Sequence, residues 1–284
     1  MKKVRLWLGT AALLAVLVPA APAQLNMTAT WPTLAADGRR GASGTAMFPD
    51  LPVMSPVAPP RMSPELALET YERRAQDQTT RLIAYSDDTL MRAALPDSKQ
   101  QGEYELKREF AAPNNLQFKA LRFTGDGFVK TNVLARLLQS EVDHVSKQQG
   151  PSTAIDQQNY KFSHKAVESI DGRMAYVFQV KPRKKRVGLF KGKVYIDAYT
   201  GALLRAEGQM VKSPSLFIKK IDFVQDYSEV DGFMLPMHLH SVAKVRIIGR
   251  AIVDIFHRAY QPRTATLFDA KPAPATQPGG SPSN

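Results

Sequence analysis

The stretch KVYIDAYTGALLRAE, Lys193 to Glu207, has the form of two short, largely apolar strands joined by a tight turn. Thr200 and Gly201 stand between the two halves, and glycine adopts the positive-φ conformations of many tight turns without steric cost. The stretch therefore predicts a β-hairpin, the basic unit of an antiparallel sheet.

The same pattern recurs along most of the chain. Turn pairs at Asp171-Gly172, Ser213-Pro214, Asp231-Gly232 and Gly249-Arg250 separate segments of strand length, and Asp-Gly is a strong hairpin signal. We predict an α+β fold in which about ten antiparallel strands form a highly curved sheet, an incomplete barrel.

Two segments have the period of a helix. The first runs from about Pro64 to Gln76, after a good N-cap at Ser63. The second, Lys130 to Gly150, has an apolar stripe at a period of 3.6 that includes one carboxylate, Glu141. We expect the two helices to cover the concave face of the sheet.

The N-terminus indicates export. Residues 1–23 combine three basic residues, an apolar core from Leu6 to Val18 and small residues up to Ala23, which is typical of a cleaved signal peptide. An uncleaved anchor is the alternative. Residues 24–62 have the composition of a Pro-rich linker, 63–261 that of one domain and 262–284 that of a disordered tail. We expect the protein in the periplasm.

The composition excludes several kinds of site. The chain has no cysteine, so disulfides, thiolate metal sites and a lipid-attachment cysteine are excluded. Its formal charge of +12 falls to +9 when the three basic residues of the predicted signal peptide are removed. Such a charge favours anionic partners without choosing among them.

Two stretches carry a family resemblance. KVYIDAYTGALLRAE has an aromatic residue and Ile-Asp before a Thr-Gly turn, and VDGFMLPMHLHSV with GRAIVDIFHRAY, within Val230 to Tyr260, has the form of a closing hairpin. With the order of the elements, they resemble the LolA/LolB-like periplasmic lipoprotein-carrier superfamily from about Ser63 to Tyr260. The resemblance implies an open, curved sheet with a hydrophobic cavity for acyl chains and helices as its lid.

The side chains expected on the concave face make up the candidate ligand site. They are Tyr104, Leu106, Arg108, Phe110, Met174, Tyr176, Phe178, Phe223, Phe233, Leu235 and Met237. A curved sheet covered by two helices tends to leave a cavity. The alternative is that these residues fill a packed core.

Arg108 and His164 break the pattern because each lies on an apolar strand face. A cation facing an apolar interior is costly unless it is paired or close to water. Both residues therefore lie near strand ends, or else Arg108 hydrogen-bonds a covering helix or a ligand headgroup.

A basic run follows the fifth predicted strand. Arg183, Lys184, Lys185, Arg186 and Lys191 are expected on a loop, where they form either a solvated rim or a contact with an anionic membrane surface. No aromatic residues are interleaved as in single-stranded nucleic-acid binding, and we expect no nucleic-acid partner.

Catalytic and metal patterns are not found in the sequence. The chain has no Gly-x-Ser-x-Gly, and the neighbouring Asp87 and Asp88 face opposite sides of a strand. His238 and His240 share the outward face of their strand without convergent further ligands. We expect no catalytic residue, metal or cofactor.

Together these features predict a monomeric, non-enzymatic periplasmic carrier or sensor of the outer-membrane lipoprotein-sorting type. Its cavity would bind an acyl chain or a lipidated protein. The alternative is a scaffold module of an envelope complex with a filled core. A hydrolase is the third candidate and requires His164, Arg108 and a carboxylate to converge.

Overall fold

The computed structural model describes residues 61–147, 149–246 and 248–264. The predicted signal peptide lies outside these residues, as do nearly all of the predicted linker and tail. The last strand runs to Thr264, so it includes the first three residues of the segment that was predicted as a tail from residue 262.

Ten antiparallel strands form a single sheet, in agreement with the predicted fold class. They are β1 (Leu82–Leu95), β2 (Gln100–Ala111), β3 (Asn115–Gly125), β4 (Tyr160–Ile170), β5 (Arg173–Pro182), β6 (Phe190–Asp197), β7 (Leu203–Met210), β8 (Ile218–Val230), β9 (Phe233–Val245) and β10 (Gly249–Thr264). Their order is β3-β2-β1-β10-β9-β8-β7-β6-β5-β4, so β3 and β4 are the two edges of an open sheet.

Two helical segments accompany the sheet. The first is α1 (Pro64–Arg81). The second begins as α2 (Gly127–Val129) and continues through a π-helical turn (Lys130–Leu134) into α3 (Ala135–Ser146). A short helix, α4 (Gly150–Thr153), follows it. Both segments contribute side chains to the main core, Ala67 and Tyr71 from α1 and Leu134 from the π-helical turn.

The first helix ends at Arg81, five residues after its predicted end at Gln76. Tertiary contacts hold its last turn. The Gln78 side chain accepts a hydrogen bond from the Met234 backbone N–H and donates one to the Met234 carbonyl, at 2.7 and 3.0 Å. Such a contact with β9 is not visible in local sequence.

The predicted hairpin from Lys193 to Glu207 is formed by β6 and β7. The Asp197 carboxylate accepts hydrogen bonds from the backbone N–H groups of Tyr199 and Thr200, at 2.9 and 2.8 Å, and closes the turn. Gly201 has φ +66 and lies against Thr70 of α1. The turn therefore fixes both the hairpin and the position of α1 above it.

Gly192 marks a close approach of two neighbouring strands. It lies within β6, opposite Gly208 of β7, and a Cβ at Gly192 would overlap the Glu207 carbonyl oxygen. The two strands approach each other closely here because neither residue has a side chain.

No helix of the described residues is both long enough and apolar enough to cross a membrane.

We expect Gly192→Ala to destabilise the protein by roughly 2 kcal/mol or more, because the overlap is with backbone and cannot be relieved by a side-chain rotation. Gly127→Ala is the matched control: nothing lies within 4 Å of its added Cβ, and helix propensity favours alanine by up to about 1 kcal/mol. Urea denaturation of both variants measures this, and equal midpoints would contradict it.

Candidate functional site: a buried arginine cluster

The interior contains a buried cation. Arg108 lies on β2, on the same face as Leu106 and Phe110, and is 1% exposed. A guanidinium in such surroundings is tolerated only when its donors are satisfied and its charge is balanced. The expectation that Arg108 reaches water at a strand end is therefore wrong.

Arg108 joins the sheet to a helix. Its Nε donates to Asp87 Oδ2 at 2.6 Å, and its Nη1 donates to Glu141 Oε1 at 2.8 Å. Asp87 is the residue opposite Arg108 in the register of β1 with β2, and Glu141 comes from α3. The alternative in which Arg108 hydrogen-bonds a covering helix is the arrangement found.

Two tyrosines surround the rest of the guanidinium. Arg108 Nη2 donates to Tyr260 Oη at 2.8 Å, and Tyr260 Oη in turn donates to the Pro236 carbonyl at 2.7 Å. The guanidinium carbon lies 5.1 Å from the ring centroid of Tyr85, within the range of a cation–π contact. All three nitrogens of the guanidinium thus donate to a protein oxygen.

A bulge in β10 supplies the cluster with two residues at once. The pairing of β1 with β10 shifts between Ser86 and Asp88, and Ala259 adopts φ +51. In a regular strand His257 and Tyr260 would face opposite sides of the sheet. The extra residue turns both inward.

Asp87 connects Arg108 to further polar groups. Its Oδ1 accepts a hydrogen bond from Thr89 Oγ1 at 2.6 Å and lies 3.0 Å from His257 Nδ1. Burial by itself raises the pKa of Asp87, but the charge of Arg108 and the hydrogen bonds of His257 and Thr89 outweigh burial and lower this pKa to about 2. Asp87 is therefore ionised at neutral pH.

The pKa values of His257 and Glu141 both shift in the direction that favours the neutral form of the side chain. Burial, then the charge of Arg108, lowers the pKa of His257 to about 4 against the opposing effect of Asp87. Burial raises the pKa of Glu141 despite its contact with Arg108. His257 is neutral at pH 7, and its Nε2 has no hydrogen-bond partner among the described residues.

Thr89, His257 and Asp87 do not form a catalytic relay. Thr89 Oγ1 and Asp87 Oδ1 both approach the same ring nitrogen of His257, Nδ1, at 3.1 and 3.0 Å, whereas a relay places nucleophile and carboxylate on different ring nitrogens. All three residues are buried.

The convergence of His164, Arg108 and a carboxylate does not occur either, because His164 is exposed and packs against Tyr176 and Phe178.

The predicted ligand residues are packed in two clusters. Leu106, Tyr176, Phe178 and Phe223 are buried in the main core, with Tyr104 and Met174 partly buried against it. Phe110, Phe233 and Leu235 are buried in a second cluster, with Met237 partly buried beside it. Val142 and Val145 of α3 pack on this second cluster. That these residues line a ligand cavity stays a prediction.

A cleft of about 420 Å³ lies elsewhere. Its lining comes from α1, from residues 154–158, from the turn at 201–203 and from Tyr227 and Met234. None of the predicted ligand residues lines it.

The remaining predicted positions lie at the surface. His238 Nε2 and His240 Nδ1 both lie close to Asp254 Oδ1, at 3.1 and 2.9 Å, and in the described part of the chain no group of His and carboxylate residues has the arrangement of a metal site. Arg183, Lys184, Lys185 and Arg186 are exposed on the β5–β6 connection, whereas Lys191 is exposed within β6, not on the loop.

Part of the cluster has a signal in the sequence. Glu141 interrupts the apolar stripe of a helix and Arg108 interrupts the apolar face of a strand, and two opposite charges at buried positions are natural partners. Tyr260 and His257 have no such signal, because only the bulge at Ala259 turns both inward.

Solved structures match this chain at low identity and with low TM-scores. A DUF1329 family protein from Desulfovibrio piger ATCC 29098 shares 12% identity, with coverage of 70% of this chain and 92% of its own and a TM-score of 0.38. A LolA superfamily protein from Nitrosomonas europaea and a putative outer membrane lipoprotein-sorting protein domain from Vibrio parahaemolyticus each share 12% identity over 71% of this chain and 94% of theirs, with TM-scores of 0.36 and 0.37.

A LolA superfamily protein is thus among the structures similar to this chain. No protein-family model and no curated protein matches the sequence. At these TM-scores no ligand and no residue role is transferred from the similar structures.

We expect the stability of the protein to fall as the pH drops from about 6.5 to 4. His257 has a folded-state pKa of about 4 against an ordinary 6.5, so it is neutral in the folded protein and takes up a proton on unfolding. This proton uptake lowers the free energy of unfolding by up to about 3 kcal/mol as the pH falls across this window. His144, whose pKa burial also lowers to about 4, acts in the same direction. The raised pKa of Glu141 acts in the opposite direction, and Asp87 loses its contribution only below about pH 4.

Urea denaturation between pH 4 and 7 measures this dependence. His257→Gln should flatten the curve, whereas His164→Gln, at an exposed position, is the control and should leave it unchanged. A His257→Gln curve as steep as that of the unmodified protein would contradict the assignment.

Proposed function

We propose that this protein is a non-enzymatic periplasmic carrier or sensor that binds an acyl chain or a lipidated protein beneath α3, of the outer-membrane lipoprotein-sorting type. The observation that supports the proposal best is the attachment of α3 to the sheet. α3 covers an apolar cluster, and its buried polar contact with the sheet is the ion pair between Glu141 and Arg108, of which both partners are at most 5% exposed.

A buried ion pair suits a cover that must open. Its electrostatic gain is largely offset by desolvation, so apolar side chains of similar size would stabilise a permanently closed helix as well or better. Opening α3 would return Glu141 to water, where its ordinary pKa and hydration are restored. Arg108 would keep Asp87 and Tyr260 as partners.

The space beneath α3 would be created by displacement of side chains. Phe110, Phe233 and Leu235 line the buried side of this region, with the adaptable Met237 at its margin. Each buried methylene of a ligand contributes about 0.8 kcal/mol, so an acyl chain can replace the contacts that α3 gives up.

An anionic membrane surface is the second partner we propose, because Arg183 to Arg186 are exposed.

One observation favours the alternative of a scaffold module in an envelope complex. The predicted ligand residues of the main core are buried, and Leu106, Phe178 and Phe223 are each at most 4% exposed. A filled core of this kind needs no ligand. The two proposals differ in whether the purified protein takes up lipid.

We expect lipid to be extractable from the purified protein and a fluorescent fatty acid to bind saturably. Extraction with mass spectrometry and a fluorescence titration measure the two properties. Absence of both would favour the scaffold module.

We expect Glu141→Gln to accelerate fatty-acid uptake and release and to destabilise the fold by about 1–3 kcal/mol, because the amide leaves the buried charge of Arg108 less well compensated. Stopped-flow fluorescence measures the rates. Asp143→Asn, at an exposed position of the same helix, is the matched control. Identical rates in the two variants would show that the ion pair does not control access.

A further inference from the structure

One end of the sheet is built from three neighbouring strand connections. Strands β5 to β10 are consecutive antiparallel neighbours, so the β5–β6, β7–β8 and β9–β10 connections lie at the same end. Backbone hydrogen bonds link them: Val211 N–H donates to the Leu189 carbonyl at 3.0 Å, and Arg246 N–H donates to the Phe217 carbonyl at 2.8 Å. The three connections therefore form one continuous surface.

This surface is strongly cationic. Its exposed cations are Arg183, Lys184, Lys185, Arg186, Lys212 and Arg246, and the connections 183–189 and 211–217 contain no acidic residue. Arg183 and Arg186 bond to neutral partners, the Gln157 carbonyl and Asn159 Oδ1.

The opposite end of the sheet has a different charge pattern. There Asp197 pairs with Arg173, and Glu229 pairs with Arg74. The positive charge is thus concentrated at one end of the sheet and is not a general property of its surface.

A leucine projects from the cationic surface. Leu216 is 88% exposed, more than any other large apolar residue described, while the next two residues, Phe217 and Ile218, turn back and pack against the main core. Val187 on the adjacent connection is 36% exposed. We call the six cations with Leu216 and Val187 the cationic tip.

An exposed apolar side chain at the same end of the sheet as six exposed cations fits the interface of an anionic bilayer. Lys and Arg near such a surface are attracted to the headgroups, and an apolar side chain at the same level enters the acyl region. Nucleic acid is a poorer match, because single-stranded binding uses exposed aromatic platforms, and the apolar side chains of the tip are aliphatic.

We propose that the cationic tip docks this protein end-on to an anionic bilayer, with Leu216 inserted among the acyl chains and the cations of both long connections at the headgroups. The identity of this partner rests on the proposed function, but the docking itself requires no cargo. The docked protein would stand with β5 to β10 pointing away from the membrane.

Sedimentation with phosphatidylcholine vesicles, with and without phosphatidylglycerol, tests the docking. We expect binding only to the anionic vesicles, weakened by salt because exposed charges are screened. Leu216→Asp should weaken it roughly tenfold or more, from the lost transfer of one leucine side chain. Leu121→Asp is the matched control, since Leu121 is 56% exposed on β3, and it should bind like the unmodified protein.

The charges are tested in the same assay. Lys184→Glu should weaken binding roughly fivefold or more, as expected for one cation near an anionic surface. Lys119→Glu, at an exposed position of β3, makes the same charge change away from the tip and should have a smaller effect. Equal losses in these two variants, or in Leu216→Asp and Leu121→Asp, would overturn the proposal.

Further outcomes separate the docking from the carrier function. A protein that ignores anionic vesicles but binds an oligonucleotide or an acidic peptide through the tip would also overturn the docking. Fatty-acid titration without vesicles should be unchanged in Leu216→Asp. Vesicle binding without fatty-acid binding would support the docking and count against the carrier, and the converse would count against the docking alone.

Discussion

The charge of Arg108 in the interior is the constraint on which the surrounding structure depends. A buried guanidinium is tolerated only if several elements meet it at once, and here β1 provides Asp87, α3 provides Glu141 and β10 provides Tyr260. Each contact positions a different element. Arg108, which itself lies on β2, therefore holds β1, α3 and β10 in one arrangement.

The bulge in β10 is the backbone counterpart of this cluster. A strand has only two faces and alternates between them, so an inward His257 and an inward Tyr260 require one residue more than the pairing with β1 allows. Ala259 supplies it with a positive φ, a conformation that costs alanine energy. The hydrogen bond from Tyr260 to the Pro236 carbonyl also ties β10 to β9.

The two parts of the molecule that we connect with function differ in their chemistry. The region under α3 is apolar and is closed through a buried ion pair, which has little net stabilising effect. The tip is cationic and exposed, and its position follows from the antiparallel order of β5 to β10. One would bind a ligand inside the protein and the other a surface outside it, so each can be altered separately.

The sequence by itself determined the elements that depend on local pattern. Alternation and turn pairs such as Thr200-Gly201 predicted the antiparallel sheet and its hairpins, because strand period and turn geometry are local properties. It also indicated that Arg108 lies on an apolar face. The partners of Arg108, the extra turn of α1 held by Gln78 and the inward direction of Tyr260 depended on the tertiary structure. Those contacts join residues far apart in the chain, and a single bulged residue reverses the face on which every later side chain lies.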